Sequence, residues 1–200
     1  TKVNAVSVPD VYPAAPSFRI DQQNQVVNRF EHDPHTANLM WQGWRDKSAK
    51  VRLARNQGQL KFKVSIRDDK HYVVPDSITN GDCVILGLNL PGQKAPWKWA
   101  ITFEDDQPLV ELLEKPFNVD ADYKPQIIAG DSPSSNFEIL LDESKVHLEK
   151  AHYTSDLKFN LTLVDHDEQQ RGWEFRMHAA PVSEGVEPDP EDWPRLVLSE

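Results

Sequence analysis

The sequence predicts an all-β fold, a β-sandwich of two antiparallel sheets, on three observations. Its most regular segments alternate apolar and polar residues with a period of two, the pattern of strands with one buried face. Fifteen prolines and eight glycines divide the 200 residues into short pieces, and helical periodicity is scarce. Turn residues separate the apolar segments at intervals of roughly eight to fifteen residues, which is typical of all-β sandwiches.

Four segments show the clearest alternation. In each of them, apolar side chains at every second position define the face that is predicted to be buried. These strands are Gln59–Arg67, Trp97–Phe103, Leu157–Val164 and Trp173–Met177. Six less regular segments complete the set, namely Phe18–Ile20, Lys50–Arg55, Cys83–Leu90, Leu109–Leu113, Phe137–Leu141 and Leu196–Ser199. Short antiparallel strands with one solvent-exposed face explain why charged and apolar residues alternate so regularly.

The remaining segments are predicted to form turns and arms around these strands. Ser144–Lys150 and Thr36–Trp44 each have room for one helical turn. Val11–Ser17 and Val182–Pro194 contain several prolines and are predicted to be extended arms at the two ends. The chain has no internal repeat and no low-complexity linker. We therefore interpret residues 1–200 as a single domain whose core spans about residues 18–198.

Charge and composition limit the partners of the protein. It has 22 Lys and Arg residues against 32 Asp and Glu residues, which gives a formal net charge of −10. Nucleic acids and anionic membranes bind basic patches, so neither is predicted as the main partner. No apolar run approaches the ~18 residues of a membrane span. The single cysteine, Cys83, excludes an internal disulfide and lies in an apolar run, which predicts a buried, inert thiol.

The sequence contains no catalytic motif. It has no Gly-x-Ser-x-Gly elbow, no glycine-rich phosphate loop and no His-Glu-x-x-His. Acidic runs such as Asp68-Asp69 and Glu104-Asp105-Asp106 are interpreted as solvated strand ends, because neighbours on a strand point to opposite faces. Coordination of a hard cation such as Ca²⁺ stays open as an alternative for oxygen-rich loops of this kind. For that alternative the candidate ligands are Asp165 and Asp167.

Tryptophans are the first candidates for a sugar site, which stacks the apolar face of a sugar on an aromatic ring and hydrogen-bonds its hydroxyl rim. Trp97 and Trp99 share one strand face, so they either belong to the core or reach the rim of the sheet, Trp97 more readily than Trp99. Trp44 lies in a glycine-containing segment and is either a loop-borne platform or a lid on the core. His71 and Arg171 add polar candidates near strand ends.

Three further residues are assigned structural roles. Trp193, between two prolines, is interpreted as a plug that holds the C-terminal arm. Trp173 begins an alternating strand, which indicates a core or edge position. Asn160-Leu161-Thr162 matches a glycosylation sequon, but it falls within a well-patterned strand, and we discount it for that reason.

Five short motifs occur in an order that resembles a known family. They are Leu60–Ile66 ending in Asp68-Asp69-x-His71, Gly81-Asp82-x-Val84, Trp97–Phe103, Asn160–Val164 running into Asp165-His166-Asp167 and Arg171, and Asp189-Pro190-x-x-Trp193. Over about residues 18–198 this order is similar to carbohydrate-binding module family 9, a β-sandwich type related to the DOMON group. The resemblance implies a jelly-roll-like sandwich that binds a poly- or oligosaccharide without catalysis, often with structural calcium. It also implies an extracellular or periplasmic accessory domain, covalently linked to a polysaccharide-degrading catalytic domain.

The resemblance does not extend to the sugar clamp of the family. Its members hold a sugar between two tryptophans, and the corresponding positions are Thr79 and Glu187 in this chain. The glutamate that bonds sugar hydroxyls corresponds to Ile85, a glutamine to Leu163, and an arginine to about Trp99. We therefore expect a rebuilt sugar site on a sheet face or rim, around the candidate residues named above.

Two other classes of non-enzyme remain as alternatives. A sandwich of the same type can be a structural or docking domain that binds no sugar, and a long exposed apolar patch would favour that function. A haem-binding DOMON-type domain would need an axial pair such as Met40 or Met177 with His152 or His178. Met177 and His178 are neighbours on a predicted strand and face opposite sides, which argues against this pair.

Overall fold

The computed structural model of the protein describes residues 5–8, 17–28, 41–74, 76–166, 175–182 and 186–198. Of residues 5–8, 28 and 198 it describes the backbone alone. Thirteen strands and four short 3-10 helices occur in these ranges, and the longest of the helices has five residues. None of these helices is long and apolar enough to cross a membrane. The described part of the chain is therefore all-β, as predicted.

The strands form two sheets. The larger sheet has eight strands: β1 (Ala5–Val8), β3 (Val26–Asn28), β6 (Cys83–Asn89), β7 (Trp97–Glu104), β8 (Gln107–Glu114), β11 (Lys158–Asp165), β12 (Phe175–His178) and β13 (Arg195–Leu198). The smaller sheet has five: β2 (Ser17–Ile20), β4 (Lys47–Asn56), β5 (Gln59–Asp68), β9 (Gln126–Ala129) and β10 (Asn136–Asp142). The 3-10 helices are Gln23–Gln25, Ile78–Asn80, Lys150–Thr154 and Pro190–Asp192.

The order of strands in the larger sheet is β1-β13-β11-β6-β7-β8. Strand β13 pairs with the first residue of β11, and β12 pairs with the last four residues of β11. Strand β3 pairs with β12 and extends the sheet on that side. The smaller sheet has the order β2-β4-β5-β10-β9. All of these pairs are antiparallel except β1 with β13, which is parallel. The prediction of a two-sheet antiparallel β-sandwich is confirmed.

The ten predicted strands are present, each with ends within three residues of the predicted ones where described. Of the predicted strand Trp173–Met177, residues 173 and 174 lie outside the described ranges. The prediction missed β1, β3 and β9, which have only three or four residues each. A segment this short does not show enough alternation to be told from a loop.

The core lies between the sheets and is built from the alternating faces. On β5, Leu60, Phe62 and Val64 are fully buried, in agreement with the predicted pattern. Phe159 of the larger sheet meets Phe18 and Phe62 of the smaller sheet at ring-centroid distances of 5.5 and 6.0 Å. Aromatic contacts of this kind fix how the two layers face each other.

Two acidic runs have turn or strand-end positions. Asp105 and Asp106 close the β7–β8 hairpin with φ values of 47° and 65°. Two central residues with positive φ define the turn that matches the twist of paired strands, and aspartate tolerates this conformation better than most residues. Glu104 and Asp68 end strands. The predicted positions at strand ends and turns agree with the structure, but Asp68 is not solvated as predicted, because its side chain is 12% exposed and contacts Lys47.

The predicted turn Ser144–Lys150 contains backbone hydrogen bonds from Lys145 and Val146 to the Asp142 carbonyl and is followed by the 3-10 helix Lys150–Thr154. Most of Thr36–Trp44 and Val11–Ser17 lies outside the described residues.

Candidate functional site

Trp97 and Trp99 lie in the core and not on a sugar-binding surface. Both indoles have no exposed surface, and they stack on each other with ring centroids 5.3 Å apart. The Trp99 Nε1–H donates to the Tyr123 carbonyl at 2.7 Å. The assignment of these two residues to a sugar site is thus corrected, because a ring with both faces packed offers no face to a ligand. Of the two positions that the sequence left open for Trp97 and Trp99, the core is the one that the structure shows.

Trp44 has the opposite placement. Its side chain is 51% exposed, and the Arg67 guanidinium lies 4.6 Å from its ring centroid. The Trp44 carbonyl accepts a hydrogen bond from Ser48 at 2.8 Å, which ties the loop to the start of β4. Trp44 is therefore loop-borne and accessible, as the platform alternative requires. Trp41 packs against the core instead and donates to the Lys47 carbonyl.

His71 joins a buried charge cluster at one end of the sandwich. Its Nδ1 lies 3.6 Å from Asp82, and its Nε2 lies 3.3 Å from the Phe103 carbonyl. The other polar candidate, Arg171, lies outside the described residues, as does the predicted metal ligand Asp167. The predicted sugar residues are thus not brought together into one site by the described part of the chain.

The charge cluster is centred on Lys47, the first residue of β4. Its ammonium group contacts carboxylate oxygens of Asp68 at 2.5 Å, Asp82 at 2.9 Å and Asp165 at 3.0 Å. Register explains the first contact, because Lys47 and Asp68 are paired across β4 and β5. Asp82 precedes β6 and Asp165 ends β11, so the larger sheet supplies the other two carboxylates. The side chain of Lys47 is 3% exposed.

Asp82 also organises the backbone around it. One carboxylate oxygen accepts from the His166 N–H at 2.9 Å, and the other accepts from the Tyr72 N–H at 2.6 Å. The Asp82 carbonyl accepts from the Thr102 hydroxyl at 2.7 Å. Asp82 therefore links the segments around Tyr72, Thr102 and His166, and its role is architectural.

Burial sets the protonation of this cluster. Burial raises the pKa of Asp165 to about 8, although Lys47 opposes the rise. Burial likewise raises the pKa of Asp68 to about 6, again against the attraction of Lys47. Burial acts to lower the pKa of Lys47, but its three carboxylate partners outweigh that effect and raise it. Burial thus favours the protonated forms of Asp165 and Asp68, while Lys47 keeps its charge.

The cluster does not fit the predicted calcium site. Ca²⁺ takes about six to eight oxygen ligands, whereas Lys47 already occupies the position between the three carboxylates and would repel a cation. Donor atoms of Asp68, His71 and Asp82 lie within 4.8 Å of one another, but both of these aspartates bond Lys47. The adjacent cavity holds about 20 Å³, room for about one water molecule and not for a sugar.

We expect an Asp165→Asn variant to flatten the pH dependence of stability. A carboxyl group whose pKa rises from 3.8 to about 8 on folding binds its proton more tightly in the folded protein. The free energy of unfolding should therefore decrease as pH rises through this window. The asparagine amide mimics the protonated acid, so the variant should be the more stable protein at about pH 8 and show a smaller decrease from about pH 5. Urea unfolding of the variant and of the unmodified protein from about pH 5 to about pH 8 measures both free energies of unfolding. The same decrease with pH in the two proteins would contradict the prediction.

A pocket of about 470 Å³ lies on the outer face of the larger sheet. Its floor is one row of residues in register across four neighbouring strands: Glu114, Lys98, Gly87 and Asn160. Residues directly opposite each other in a sheet point to the same face. The pairing of β8, β7, β6 and β11 therefore positions these side chains together.

Trp193 lies over the middle of this floor. A Cβ atom on Gly87 would be 2.4 Å from the Trp193 ring, so only glycine leaves space for the indole to lie on the sheet. Trp193 is 6% exposed, and its Nε1–H donates to the Pro188 carbonyl at 3.2 Å. It holds the C-terminal segment against the sheet, as predicted, and it also lines the pocket.

Two ion pairs stand on opposite sides of the pocket. On one side, Lys98 bonds Glu114 at 2.8 Å and lies 5.9 Å from the Trp193 ring centroid. On the other side, Glu187 contacts Arg176 at 3.0 Å and the buried His178 at 3.1 Å. Burial opposes ionisation of Glu187, but His178 and Arg176 outweigh it and lower its pKa to about 2. The pocket thus combines one aromatic surface with charged hydrogen-bonding groups on two sides.

The positions of the family clamp converge on this pocket. Thr79, Ile85 and Glu187 all line it, although none of them is the family's residue. The residues at two other corresponding positions, Trp99 and Leu163, are fully buried in the core. Their neighbours Lys98 and Thr162 line the pocket instead, since side chains alternate along a strand. That alternation was the signal that would have identified Lys98 from the sequence.

Three other predictions concern buried groups. Asn160 is 4% exposed and its amide oxygen accepts from the Ala180 N–H, in agreement with the discounted sequon. Cys83 is buried as predicted, and burial raises the pKa of its thiol to about 12. Trp173 lies outside the described residues.

The axial pairs of the haem alternative do not form in the described residues. Met177 lies in the core, whereas His178 points to the outer face and contacts the Thr162 hydroxyl at 2.9 Å. His152 lies in a 3-10 helix, where its Nδ1 accepts from the Glu149 N–H. Met40 lies outside the described residues.

The chain is similar in fold to solved carbohydrate-binding structures. A family 9 carbohydrate-binding module from Caldicellulosiruptor kristjanssonii in complex with cellotriose shares 12% identity over 97% of this chain and 93% of that chain, with a TM-score of 0.58. The structure of a family 9 module from the same organism in complex with glucose shares 13% identity over 98% of this chain and 95% of that chain, with a TM-score of 0.59. A candidate carbohydrate-binding protein from Bacteroides uniformis shares 12% identity over 99% of this chain and 99% of that chain, with a TM-score of 0.59. No protein-family model and no curated protein matches the sequence. The chain therefore has a family 9-like carbohydrate-binding-module fold.

Proposed function

We propose that this β-sandwich is a non-catalytic carbohydrate-binding module whose saccharide binds in the pocket on the outer face of the larger sheet. The single observation that carries the proposal is the convergence of Thr79, Ile85 and Glu187 on that pocket. These are the positions at which the resembling family holds its sugar. The structural neighbours named above, with their bound cellotriose and glucose, support a saccharide as the class of ligand.

The chemistry of the pocket suits a sugar. Its volume of about 470 Å³ is that of a small-molecule site. Only a small accessible part of the Trp193 indole lines the pocket, since this residue is 6% exposed, and Lys98 and Glu187 supply charged donors and acceptors for the hydroxyl groups of a sugar. Hydrogen bonds to charged groups are stronger than those between neutral groups. A sugar site of this composition replaces the two-tryptophan clamp with hydrogen bonds to two ion pairs.

A Lys98→Ala variant is expected to bind saccharide about tenfold to a hundredfold more weakly, because a hydrogen bond to a charged group contributes about 1.5–3 kcal/mol. Isothermal titration calorimetry with glucose and cellotriose measures the loss. A Lys145→Ala variant is the matched control, since Lys145 is exposed and outside the pocket. Equal affinity of the two variants, or no heat from the unmodified protein with a panel of oligosaccharides, would contradict the proposal.

We further propose an accessory role in an extracellular or periplasmic polysaccharide-degrading enzyme, through covalent linkage to its catalytic domain. The family resemblance supports this role. Sequencing of the complete reading frame tests it: a catalytic domain for polysaccharides in the same frame is the expected result, and a frame without one overturns this part of the proposal alone.

A docking domain without sugar binding is the second candidate function. Large apolar side chains with substantial exposure among the described residues are Trp44, Leu113, Phe117, Ile128 and Val186. They belong to separate elements of the fold, and Leu113 lines the pocket itself. The polar composition of the pocket favours the saccharide over a protein partner, which would bind a larger apolar patch.

A further inference from the structure

The outer face of the smaller sheet is strongly basic. On its strands β2, β4 and β5 this face carries six cations and no carboxylate: Arg19, Lys50, Arg52, Lys61, Lys63 and Arg67. The intervening residues Phe18, Val51 and Val64 point inward and are buried. The neighbouring strand β10 adds two carboxylates to this face, Glu138, 3.7 Å from Lys63, and Asp142, which is in register with Gln59. A chain with a net charge of −10 has thus concentrated cations on one flat surface, which we term the basic face.

Like charges lie directly opposite each other on the basic face. Arg19 pairs in register with Lys50 across β2 and β4, and Arg52 pairs with Lys63 across β4 and β5. Directly opposed like charges destabilise a sheet. Arg19 lies 3.7 Å from Asp21 and Lys63 lies 3.7 Å from Glu138, whereas Lys50, Arg52 and Lys61 form no ion pair with any described residue. An anionic ligand on this surface would neutralise it.

The edge of the basic face carries an exposed aromatic ring. Trp44 lies against Arg67, and Arg45 flanks the same ring with its guanidinium 5.4 Å from the centroid. Small polar residues such as Ser17, Ser65 and Asn136 lie between the cations of the face. These groups suit a ligand that has both anionic groups and hydroxyl groups.

Among polyanions, an acidic polysaccharide fits these observations best. Single-stranded nucleic acids bind on successive aromatic stacking platforms, and no aromatic side chain projects from the strands of the basic face. Long duplexes and anionic membranes extend beyond one sheet face, and the remaining acidic surface of the protein would repel them. Saccharide hydroxyl groups match the serine and asparagine side chains, and sugar carboxylates or sulfates match the cations.

We propose that the basic face is a second ligand surface, which binds an acidic polysaccharide independently of the pocket on the larger sheet. This surface goes beyond the proposed function, because it lies on the other sheet and uses different residues. It gives the protein two saccharide contacts on opposite sides of the sandwich, one for a sugar in a pocket and one for a charged chain along a flat face.

The test uses affinity electrophoresis in gels that contain polygalacturonate, at low and at physiological salt. A Lys50→Glu/Arg52→Glu variant is expected to bind at least about tenfold more weakly, and binding of the unmodified protein should weaken as salt rises. This variant should fold at least as well as the unmodified protein, because it converts both like-charge pairs into attractive pairs. A thermal unfolding curve checks that.

The matched control is Lys145→Glu/Lys150→Glu, which changes the net charge equally at exposed positions outside the basic face. Equal loss in the two variants would overturn the proposal, as would the absence of retardation of the unmodified protein by polygalacturonate. Tighter binding to single-stranded oligonucleotides, duplex DNA or phosphatidylserine vesicles than to polygalacturonate would overturn the choice of ligand. Binding of cellotriose should be unchanged in the basic-face variant, so failure at one surface is distinguishable from failure at the other.

Discussion

A Lys47→Met variant is expected to lose about 3–5 kcal/mol of folding free energy, the usual cost of removing one partner from a buried ionic cluster. Methionine keeps the length of the side chain but leaves Asp68, Asp82 and Asp165 without their shared cation. The negative charge of the cluster is then left without its buried counter-ion in a site from which water is largely excluded. Because whole domains are stable by only about 5–15 kcal/mol, this loss removes a large share of the total.

Urea unfolding at neutral pH measures the effect, with Lys145→Met as the exposed control. A second substitution, Lys47→Met/Asp68→Asn, should recover part of the loss, since it removes one of the stranded charges. The recovered part measures the coupling between the two residues. A loss below about 1 kcal/mol for Lys47→Met would show that the carboxylates are solvated or protonated without cost, and would refute the account of the cluster.

The fold was predictable because burial on one face of a strand imposes alternation that a sequence shows directly. Leu60, Phe62 and Val64 are an example: every second residue is fully buried. The charge cluster was not predictable in the same way. Lys47 and Asp165 are far apart in the sequence, and they meet only because the ends of β4 and β11 meet. The alternation of apolar and polar residues predicts on which face of a sheet a residue lies, but it does not predict which strand ends lie close together.

None of the described residues that were predicted to bind sugar lines the pocket, which the sequence indicated only through the clamp positions Thr79, Ile85 and Glu187. Trp99 was matched to the family's arginine and Leu163 to its glutamine, whereas the neighbouring residues Lys98 and Thr162 line the pocket. In a strand, an error of one position moves a residue from one face of the sheet to the other. Gly87 was not singled out at all, because the space it leaves is filled by the indole of a distant residue, Trp193.

Net charge was also an incomplete guide to partners. The value of −10 is a sum over the whole chain and says nothing about where the charges lie. Alternation along β4 and β5 places Lys50, Arg52, Lys61 and Lys63 on one outer face. Partner chemistry depends on the local potential of such a face, which is distinct from the average. The alternation that predicted the buried face of these strands therefore also predicts the cations of their outer face.

A Trp99→Ala variant is expected to lose about 3–5 kcal/mol of folding free energy, because it removes a fully buried indole from the core. By contrast, Trp44→Ala should change stability by about 0.5 kcal/mol or less, since that ring is half exposed. Thermal or urea unfolding of the two variants separates them. Similar losses in both would contradict the assignment of Trp99 to the core and Trp44 to the surface.

The phenylalanine variants of the stacked pair make a finer comparison. Trp99 donates a hydrogen bond to the Tyr123 carbonyl, whereas the Trp97 Nε1–H finds no acceptor among the described residues. Trp99→Phe leaves that carbonyl without its donor, so it should cost about 1–3 kcal/mol more than Trp97→Phe, which removes an unpaired polar atom along with the ring. Both variants should bind cellotriose as tightly as the unmodified protein does, because neither ring lines the pocket. Weaker binding by a folded Trp97→Phe or Trp99→Phe protein would return these indoles to the sugar site.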